Sequence, residues 1–422
     1  MSEWVVLAGG LGTRSADPRL PKILQSIGKG TVLDFLLFSL RQANAKRVHF
    51  VLRHESRQVE EYLDARSKHI DFHWDVLIDD GNGPVAALQF AESALVEAEV
   101  GVVFGDTLIS APLNKFKSEF GDSGLSAGIV VRQSDHPGDS DVFTIDDLAS
   151  TLRFYPKGVE PEGNTGLVWC ATGILFIRKS FINTLDQDLP DLTRAIVSAV
   201  GESNIRLMKS SYYHRDTGTP QRLAQCSADA ELGVLFRKGN DGHAPRRAVF
   251  FDRDGTLFPD VPEGRADFKP NELFVQTVQL LTALRTSGFP IFMVTNQPQC
   301  AKGFIKIGDV YRLHNQLQGV LAKDNAFFDD IRFCPHHPSH GFPGEVESLK
   351  IICKCRKPST GMLDELALDH SIDLRTSLFI GDTDVDNQIA SNSGMKFLDI
   401  NVLSSMGSVE RLQNLISRLG EK

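Results

Sequence analysis

Asp252 and Asp254 stand two residues apart in the run Phe250-Phe251-Asp252-Arg253-Asp254-Gly255-Thr256-Leu257. Two carboxylates at that spacing, just past an apolar run, can both approach one phosphorus atom. Unaided hydrolysis of a phosphate monoester is so slow that enzymes accelerate it by up to ~10²¹-fold. A carboxylate nucleophile, Asp252, divides that reaction into two easier halves through an acyl-phosphate. The second carboxylate, Asp254, can protonate the departing alkoxide and then deprotonate water. Gly255 lets the loop turn.

A second pattern lies at the other end of the chain. Gly9-Gly10-Leu11-Gly12-Thr13-Arg14 follows the apolar run Val5-Val6-Leu7-Ala8, and Pro21-Lys22 comes shortly after. Glycines allow successive backbone N–H groups to close on a triphosphate as an anion cradle. Arg14 and Lys22 can neutralise phosphate charge as pyrophosphate leaves. Two other glycine loops fail on the residues. A dinucleotide fingerprint needs a third glycine where Ser15 stands. A P-loop ending in Gly28-Lys29 would need a glycine at Ile23, and Gly30 takes the place of its Ser/Thr.

A third pattern combines Cys334-Pro335-His336 with Cys353-Lys354-Cys355. Three sulfurs and an imidazole suit tetrahedral Zn²⁺ in a closed, structural site. The loop between the pairs is polar and turn-rich, with little to pack, so a metal staple is expected there. His340 is read as a loop residue, and Cys170, Cys226 and Cys300 as thiols that hold no metal.

The glycine loop with Arg14 and Pro21-Lys22 resembles the G-G-x-G-T-R…P-K signature of the sugar-phosphate nucleotidyltransferases. Three later segments strengthen the resemblance. Asp79-Asp80-Gly81-Asn82-Gly83-Pro84 is similar to the turn that contacts base and ribose, which marks Gly83. Val103-Phe104-Gly105-Asp106 ends a strand in a carboxylate. Arg215-Asp216-Thr217-Gly218-Thr219-Pro220 is similar to the late D-x-G-T-P element. The resemblance implies that Gly9, Gly10, Gly12 and Thr13 bind phosphates. It also implies that Asp106 and Asp216 hold a Mg²⁺, a hard cation that takes oxygen ligands from separate loops. Ile23 stands where the family often has a second proline, and no Glu-Lys pair marks a sugar pocket.

The D-R-D-G-T-L run resembles the haloacid dehalogenase superfamily, whose remaining elements follow in order. Val294-Thr295-Asn296-Gln297 implies phosphate binding by Thr295 and Asn296. Cys355-Arg356-Lys357-Pro358 implies phosphoryl contacts from Arg356 and Lys357. Ile380-Gly381-Asp382 implies a Mg²⁺ held by Asp252, Asp254 and Asp382, with Asp386 as support. With C-P-H-H-P and C-K-C-R-K-P the run is similar to the heptose 1,7-bisphosphate and histidinol-phosphate phosphatases, and their C-x-H order places His336 ahead of His337 as zinc ligand. Pro298-Gln299 and Thr383 depart from the family pattern.

Such sites need strand ends to carry them. Short apolar runs at Val48–Leu52, Val76–Ile78, Val100–Phe104, Ile129–Val131, Ile291–Val294 and Ser377–Ile380 read as buried parallel strands. Helical periods fall between them, at 33–43, 59–65, 85–94, 275–284, 361–368 and 409–419. The alternation predicts an α/β fold: two Rossmann-like three-layer domains with mostly parallel sheets. A polar stretch with two glycines and a proline, 237–246, reads as a linker. It divides a transferase domain, 1–236, from a phosphatase domain, 247–422. Over 422 residues the hydrophobic share of 41% and charged share of 23% are those of a soluble globular protein. No run approaches the ~18 apolar residues of a membrane span. A net charge of −9 argues against nucleic acid as a partner. The start of the chain lacks signal-peptide chemistry, so a cytoplasmic protein without disulfides is expected.

The two halves converge. The resemblance implies a phosphatase that removes the 7-phosphate of a heptose bisphosphate and leaves the anomeric phosphate that a sugar nucleotidyltransferase consumes. The expected partners are heptose phosphates and a nucleoside triphosphate, GTP by analogy with the guanylyl branch. Two alternatives stay open: the same chemistries on another sugar or with ATP or CTP, and a first half that only senses nucleotide. Oligomeric state is not legible.

Overall fold

The computed structural model describes residues 3–10, 20–53, 56–79, 83–133, 140–189, 191–235, 245–260 and 262–405. Gly12, Thr13 and Arg14, most of the expected linker, and the expected helix at 409–419 lie outside the described residues. By contact the chain forms two units, Met1–Arg132 with Ala171–His243, and Gln133–Cys170 with Ala244–Lys422.

The strands, in chain order, are β1 Glu3–Leu7, β2 Ser26–Ile27, β3 Gly30–Thr31, β4 Arg47–Leu52, β5 His73–Ile78, β6 Glu99–Phe104, β7 Thr107–Ser110, β8 Ala127–Arg132, β9 Val142–Asp146, β10 Thr151–Tyr155, β11 Leu167–Arg178, β12 Ile205–Lys209 and β13 Tyr213–Asp216. They continue with β14 Val249–Phe251, β15 Ile291–Asn296, β16 Asp330–Cys334, β17 Leu378–Gly381 and β18 Lys396–Asp399.

In the first unit β6, β1, β4 and β5 lie side by side and parallel, and β8 pairs parallel with β12. All five residues of β1 are buried, as expected of a strand covered on both faces. Trp4 and Phe176 meet edge to face at 5.6 Å at the centre of the core. Burying side chains of this size contributes on the order of 1.5–3 kcal/mol each. Helix Val32–Gln42 begins where the Thr31 side chain accepts from the Asp34 N–H while Asp34 accepts from the Thr31 N–H, a reciprocal cap. A small antiparallel ladder, β7 with β13, sets Asp216 opposite Thr107.

The second unit is built on five parallel strands in the order β16-β15-β14-β17-β18. Its core gathers Phe250, Phe292, Val294, Met362 and Phe379. Helices at Val275–Thr286, Ile307–Ala322, Gly361–His370 and Asp384–Ser393 connect the strands. The order puts β14 in the middle, so its C-terminal end opens between two neighbours, where a site belongs in an open α/β sheet.

Residues 133–170 group with this second unit although they precede the linker in sequence. β9 pairs antiparallel with β10 and with the first residues of β11. Helix Ile307–Ala322 grips this arm. The Tyr311 hydroxyl donates to Asp146 at 2.7 Å, and the Asn315 amide donates to the Gly163 and Gly166 carbonyls at 3.0 and 2.9 Å. The Val168 N–H donates to Asn315 Oδ1 at 3.1 Å, and Arg332 pairs with Asp147 at 3.1 Å. The sequence carries one break near 240, whereas by contact the chain changes unit three times. Among the described residues, no helix is long and apolar enough to cross a membrane.

Candidate active sites and metal centre

In the second unit β14 delivers Asp252 at its C-terminal end, and the turn after it depends on Gly255. That residue sits at φ +73°, and a Cβ there would lie 2.1 Å from an Asp382 oxygen. Only glycine allows Asp382, at the end of neighbouring β17, to come this close. The Thr256 hydroxyl donates to Asp382 at 3.2 Å and fixes that carboxylate.

Lys357 ties the site together. Its ammonium donates to Asp252 at 2.6 Å and to Asp386 at 2.7 Å, and all three side chains are buried. Its backbone is locked by Asn296, whose Oδ1 accepts from the Lys357 N–H at 2.9 Å and whose Nδ2 donates to the Lys357 carbonyl at 3.2 Å. Asn296 therefore uses both ends of its amide on Lys357. Burial works against the Lys357 charge, yet Asp252 and Asp386 hold its pKa above the ordinary value. Burial likewise pushes Asp252 up to about 7, against the pull of Lys357 and with Asp386 and Asp254 adding to the push. Asp382 is raised by burial and by Asp386.

Asp252, Asp382 and Asp386 each offer an oxygen within 4.8 Å of the others. Three carboxylates against one ammonium leave negative charge in excess, and hard oxygen donors in that number fit a Mg²⁺. The sequence expectation had Asp254 in this set, and the structure groups Asp386 there instead. Thr383 caps helix Asp384–Ser393 and donates to Asp386 Oδ2 at 2.6 Å, which turns the other oxygen toward Lys357. Thr383, a departure from the family pattern, thus earns its place as the cap that orients Asp386. The Asp254 carboxylate is instead drawn to the guanidinium of Arg253 and to the Gln297 amide, 2.9 Å away, with Thr295 at 3.5 Å. Gln297 had been quoted in a motif without a role. Arg356 donates to the His336 carbonyl at 3.2 Å, so its fork is anchored to the cysteine loop.

That loop brings its four expected ligands together. The sulfurs of Cys334, Cys353 and Cys355 lie 3.3–3.6 Å apart, and His336 Nδ1 is 3.6 Å from Cys334 and 3.2 Å from Cys355. Tetrahedral zinc with ~2.3 Å bonds to sulfur needs sulfurs roughly 3.8 Å apart, so a small outward shift would seat it. Hydrogen bonding from Cys334 pulls Cys355 down to about 5, while the same bond and burial push Cys334 up. Crowded sulfurs that share protons in this way are the donor set a soft-tolerant cation fits. His340 is exposed and pairs with Glu345 at 3.2 Å, while Cys170, Cys226 and Cys300 are buried thiols outside the group.

In the first unit a cavity of about 250 Å³ opens at the C-terminal ends of β1, β4, β5 and β6. Gly9, Gly10, Lys22, Gly83 and Asp106 line it, with Arg53 and Asp79, which the sequence reading did not single out. Arg53 follows directly on a strand that was legible, and position at a strand end was the available signal. Gly105 is required where the chain passes β1, because a Cβ there would lie 2.6 Å from the Ala8 side chain. Lys22 donates to Asp106 at 2.9 Å. Thr217 brings the late element to the same place: its N–H and hydroxyl both donate to the Asp106 carbonyl at 2.8 Å. Asp216, next to it, is held by Arg222 and the Gly218 N–H. The Asp106 carboxylate beside a lysine suits a magnesium–triphosphate, whereas Asp216 does not line the cavity and its carboxylate is committed to Arg222 and Gly218.

Residues 4–241 match the MobA-like NTP transferase domain family, and residues 354–417 match a HAD-hydrolase-like family. The D-glycero-alpha-D-manno-heptose-1,7-bisphosphate 7-phosphatase of Burkholderia mallei is 33% identical over 150 residues, 35% of this chain and 76% of that protein. The D-glycero-beta-D-manno-heptose-1,7-bisphosphate 7-phosphatase of Rhodopseudomonas palustris is 34% identical over 157 residues, 36% of this chain and 82% of that protein. Among solved structures, HddC from Yersinia pseudotuberculosis matches with 20% identity and a TM-score of 0.45, over 55% of this chain and all of that one. The chain belongs to the MobA-like NTP transferases through its first part and to the HAD-type heptose-bisphosphate phosphatases through its last, and it is a bifunctional enzyme of nucleotidyl transfer and phosphate-ester hydrolysis.

Proposed function

We propose that the chain performs two consecutive steps toward a nucleotide-activated heptose. The second unit removes the 7-phosphate of D-glycero-D-manno-heptose 1,7-bisphosphate, and the first joins the resulting heptose 1-phosphate to a nucleotidyl group, GMP from GTP, with release of pyrophosphate. The domains run 1–236 and 247–422 with a linker at 237–246, the arm 133–170 being sequence of the first that packs in the second. The observation that carries the reading is Lys357 between Asp252 and Asp386 at 2.6 and 2.7 Å, in a chain whose relatives act on heptose bisphosphates.

Asp252 attacks phosphorus, and the bond to the bridging oxygen breaks as Asp254 passes its proton to that oxygen. Asp254 then takes a proton from the water that cleaves the acyl-phosphate. Lys357 stabilises charge on the phosphoryl oxygens, Thr295 and Arg356 receive them, and Asn296 keeps Lys357 in place. Asp252 and Asp382, with Asp386, would hold a Mg²⁺ that would further neutralise the phosphoryl charge. Cys334, His336, Cys353 and Cys355 would hold a Zn²⁺ that would fix the loop carrying Arg356 and Lys357. In the first unit the backbone at Gly9 and Gly10, with Gly12, Thr13 and Arg14, cradles the triphosphate. Lys22 meets the departing pyrophosphate, Gly83 lies against the nucleoside, and Asp106 and Asp216 would hold a Mg²⁺ that would help neutralise the phosphates.

Incubating the protein with heptose 1,7-bisphosphate and each nucleoside triphosphate in turn, with mass detection, tests this reading. A heptose linked to GDP is expected with GTP. Phosphate release with no sugar nucleotide from any triphosphate would refute the joint function.

A further inference from the structure

Arg253 stands between the two aspartates of the phosphatase loop and is only 2% exposed. Its fork is spent on its neighbour. Nη2 donates to both oxygens of Asp254 at 3.0 Å, and Nε adds a bond to Oδ1 at 3.2 Å. Nη1 points the other way, to His314 Nε2 at 3.1 Å, on helix Ile307–Ala322. A guanidinium has no acceptor, so His314 Nε2 must accept and the ring proton must sit on Nδ1. His314 is completely buried, and among the described residues its Nδ1 has no partner. A buried donor left without a partner is uncommon and asks for a compensating role.

We propose that Arg253 and His314 form a positioning pair that aims the Asp254 carboxyl at the leaving oxygen and keeps it out of the cation site beside Asp252. The inference rests on the reading of Asp254 as acid and base. A carboxylate two residues from the nucleophile would otherwise turn toward the same cation as Asp252, Asp382 and Asp386. The guanidinium fork holds it on the side of Gln297 and Thr295, with Gln297 completing the grip at 2.9 Å. A neutral imidazole is the fitting support behind Arg253. A carboxylate there would cancel the guanidinium charge and compete with Asp254, whereas burial and the adjacent Arg253 keep His314 well below its ordinary pKa and uncharged. Asp254 gives its proton to the bridging oxygen as the phosphorus–oxygen bond breaks and the Asp252–phosphorus bond forms, so in this first step a misaimed Asp254 slows only leaving groups that need the proton.

That selectivity is the test. The first step alone is read in a single turnover, as dephosphorylated sugar formed from heptose 1,7-bisphosphate, whose alkoxide must be protonated, and as p-nitrophenolate formed from p-nitrophenyl phosphate, whose phenolate leaves unprotonated, because the water-activating step that follows is common to both. Asp254→Asn is the reference, and a loss confined to the sugar phosphate establishes its acid role. Arg253→Met is then expected to lose ~10²-fold on the sugar phosphate and under about 3-fold on the aryl ester, within the range of general-acid catalysis. His314→Leu follows in the same direction by roughly 10-fold, and His314→Gln, which keeps an acceptor, restores most of it. His314→Leu carries the test if Arg253→Met does not fold, with nucleotidyl transfer by the same chain as the check on integrity. Equal losses on both substrates in the Arg253 and His314 variants would overturn the positioning role. Equal losses in Asp254→Asn would instead overturn the acid assignment beneath it.

Discussion

Lys357 and Lys22 are both lysines facing aspartates, and they are built differently. The Lys357 side chain is 4% exposed and bridges two buried carboxylates. The Lys22 side chain is 20% exposed and meets one carboxylate, Asp106, itself 31% exposed. The chemistry explains the contrast. On the proposed function the phosphatase nucleophile belongs to the protein, and Asp252 then gains from a dry pocket where its partners act at low dielectric. In the transferase site the attacking phosphate arrives with the substrate. The protein need only clamp a triphosphate, and an open wall of glycines, a lysine and carboxylates suffices until the ligand fills it.

The comparison can be broken where it is strongest. Asp252→Asn should lower phosphate release by on the order of 10⁴-fold or more, as loss of a nucleophile does elsewhere. Nucleotidyl transfer to supplied heptose 1-phosphate should persist, as read by pyrophosphate release, with a separate phosphate assay for the hydrolysis. Loss of the two activities together would mean that the sites are not separate. Removing Lys357 should show how far burial matters. Lys357→Met leaves Asp252 and Asp386 uncompensated, a cost of about 3–5 kcal/mol for a broken buried pair. Thermal unfolding of the phosphatase part should shift accordingly, and its kcat should fall ~10²–10³-fold. The equivalent change in the open site, Lys22→Ala with Asp106→Ala, should cost transfer ~10²–10³-fold with little change in melting temperature, because exposed pairs contribute about 0–1 kcal/mol. A large loss of stability there would erase the distinction. The smallest effect expected on catalysis comes from the cysteine loop. Purified protein should carry about one zinc per chain, and its removal by a zinc-selective chelator with Mg²⁺ kept in excess should reduce phosphate release roughly tenfold while leaving nucleotidyl transfer unchanged. Full activity in metal-free protein with reactive cysteines would remove zinc from the account.

Legibility followed the range of the interactions. Asp252 and Asp254 could be read because two covalent links fix their spacing, and the Cys334–His336 and Cys353–Cys355 pairs for the same reason. Asp106 and Asp216 are far apart in sequence, and only the resemblance to the family's motif order joins them. The structure shows the physical link in the β7–β13 ladder and the two bonds from Thr217. The arm 133–170 could not be read as part of the second unit. Its strands β9 and β10 alternate polar with apolar residues, and its attachment runs through single side chains such as Asn315 and Tyr311, which have no sequence period. Asn296 looked like a phosphate ligand because of its place in T-N-Q, yet its amide is committed to the Lys357 backbone. His314 gave no signal at all, since a histidine within a helix reads the same whether it packs or supports.

The most direct measurement mixes two crippled proteins. Asp252→Asn alone, and the Lys22→Ala, Asp106→Ala double variant alone, should each fail to make the nucleotide-heptose from heptose 1,7-bisphosphate and GTP. Combined in one tube, the second protein should release heptose 1-phosphate and the first should use it, so the product appears. No product from the mixture, with each variant still performing its remaining half-reaction on supplied substrate, would contradict two independent sites acting in sequence.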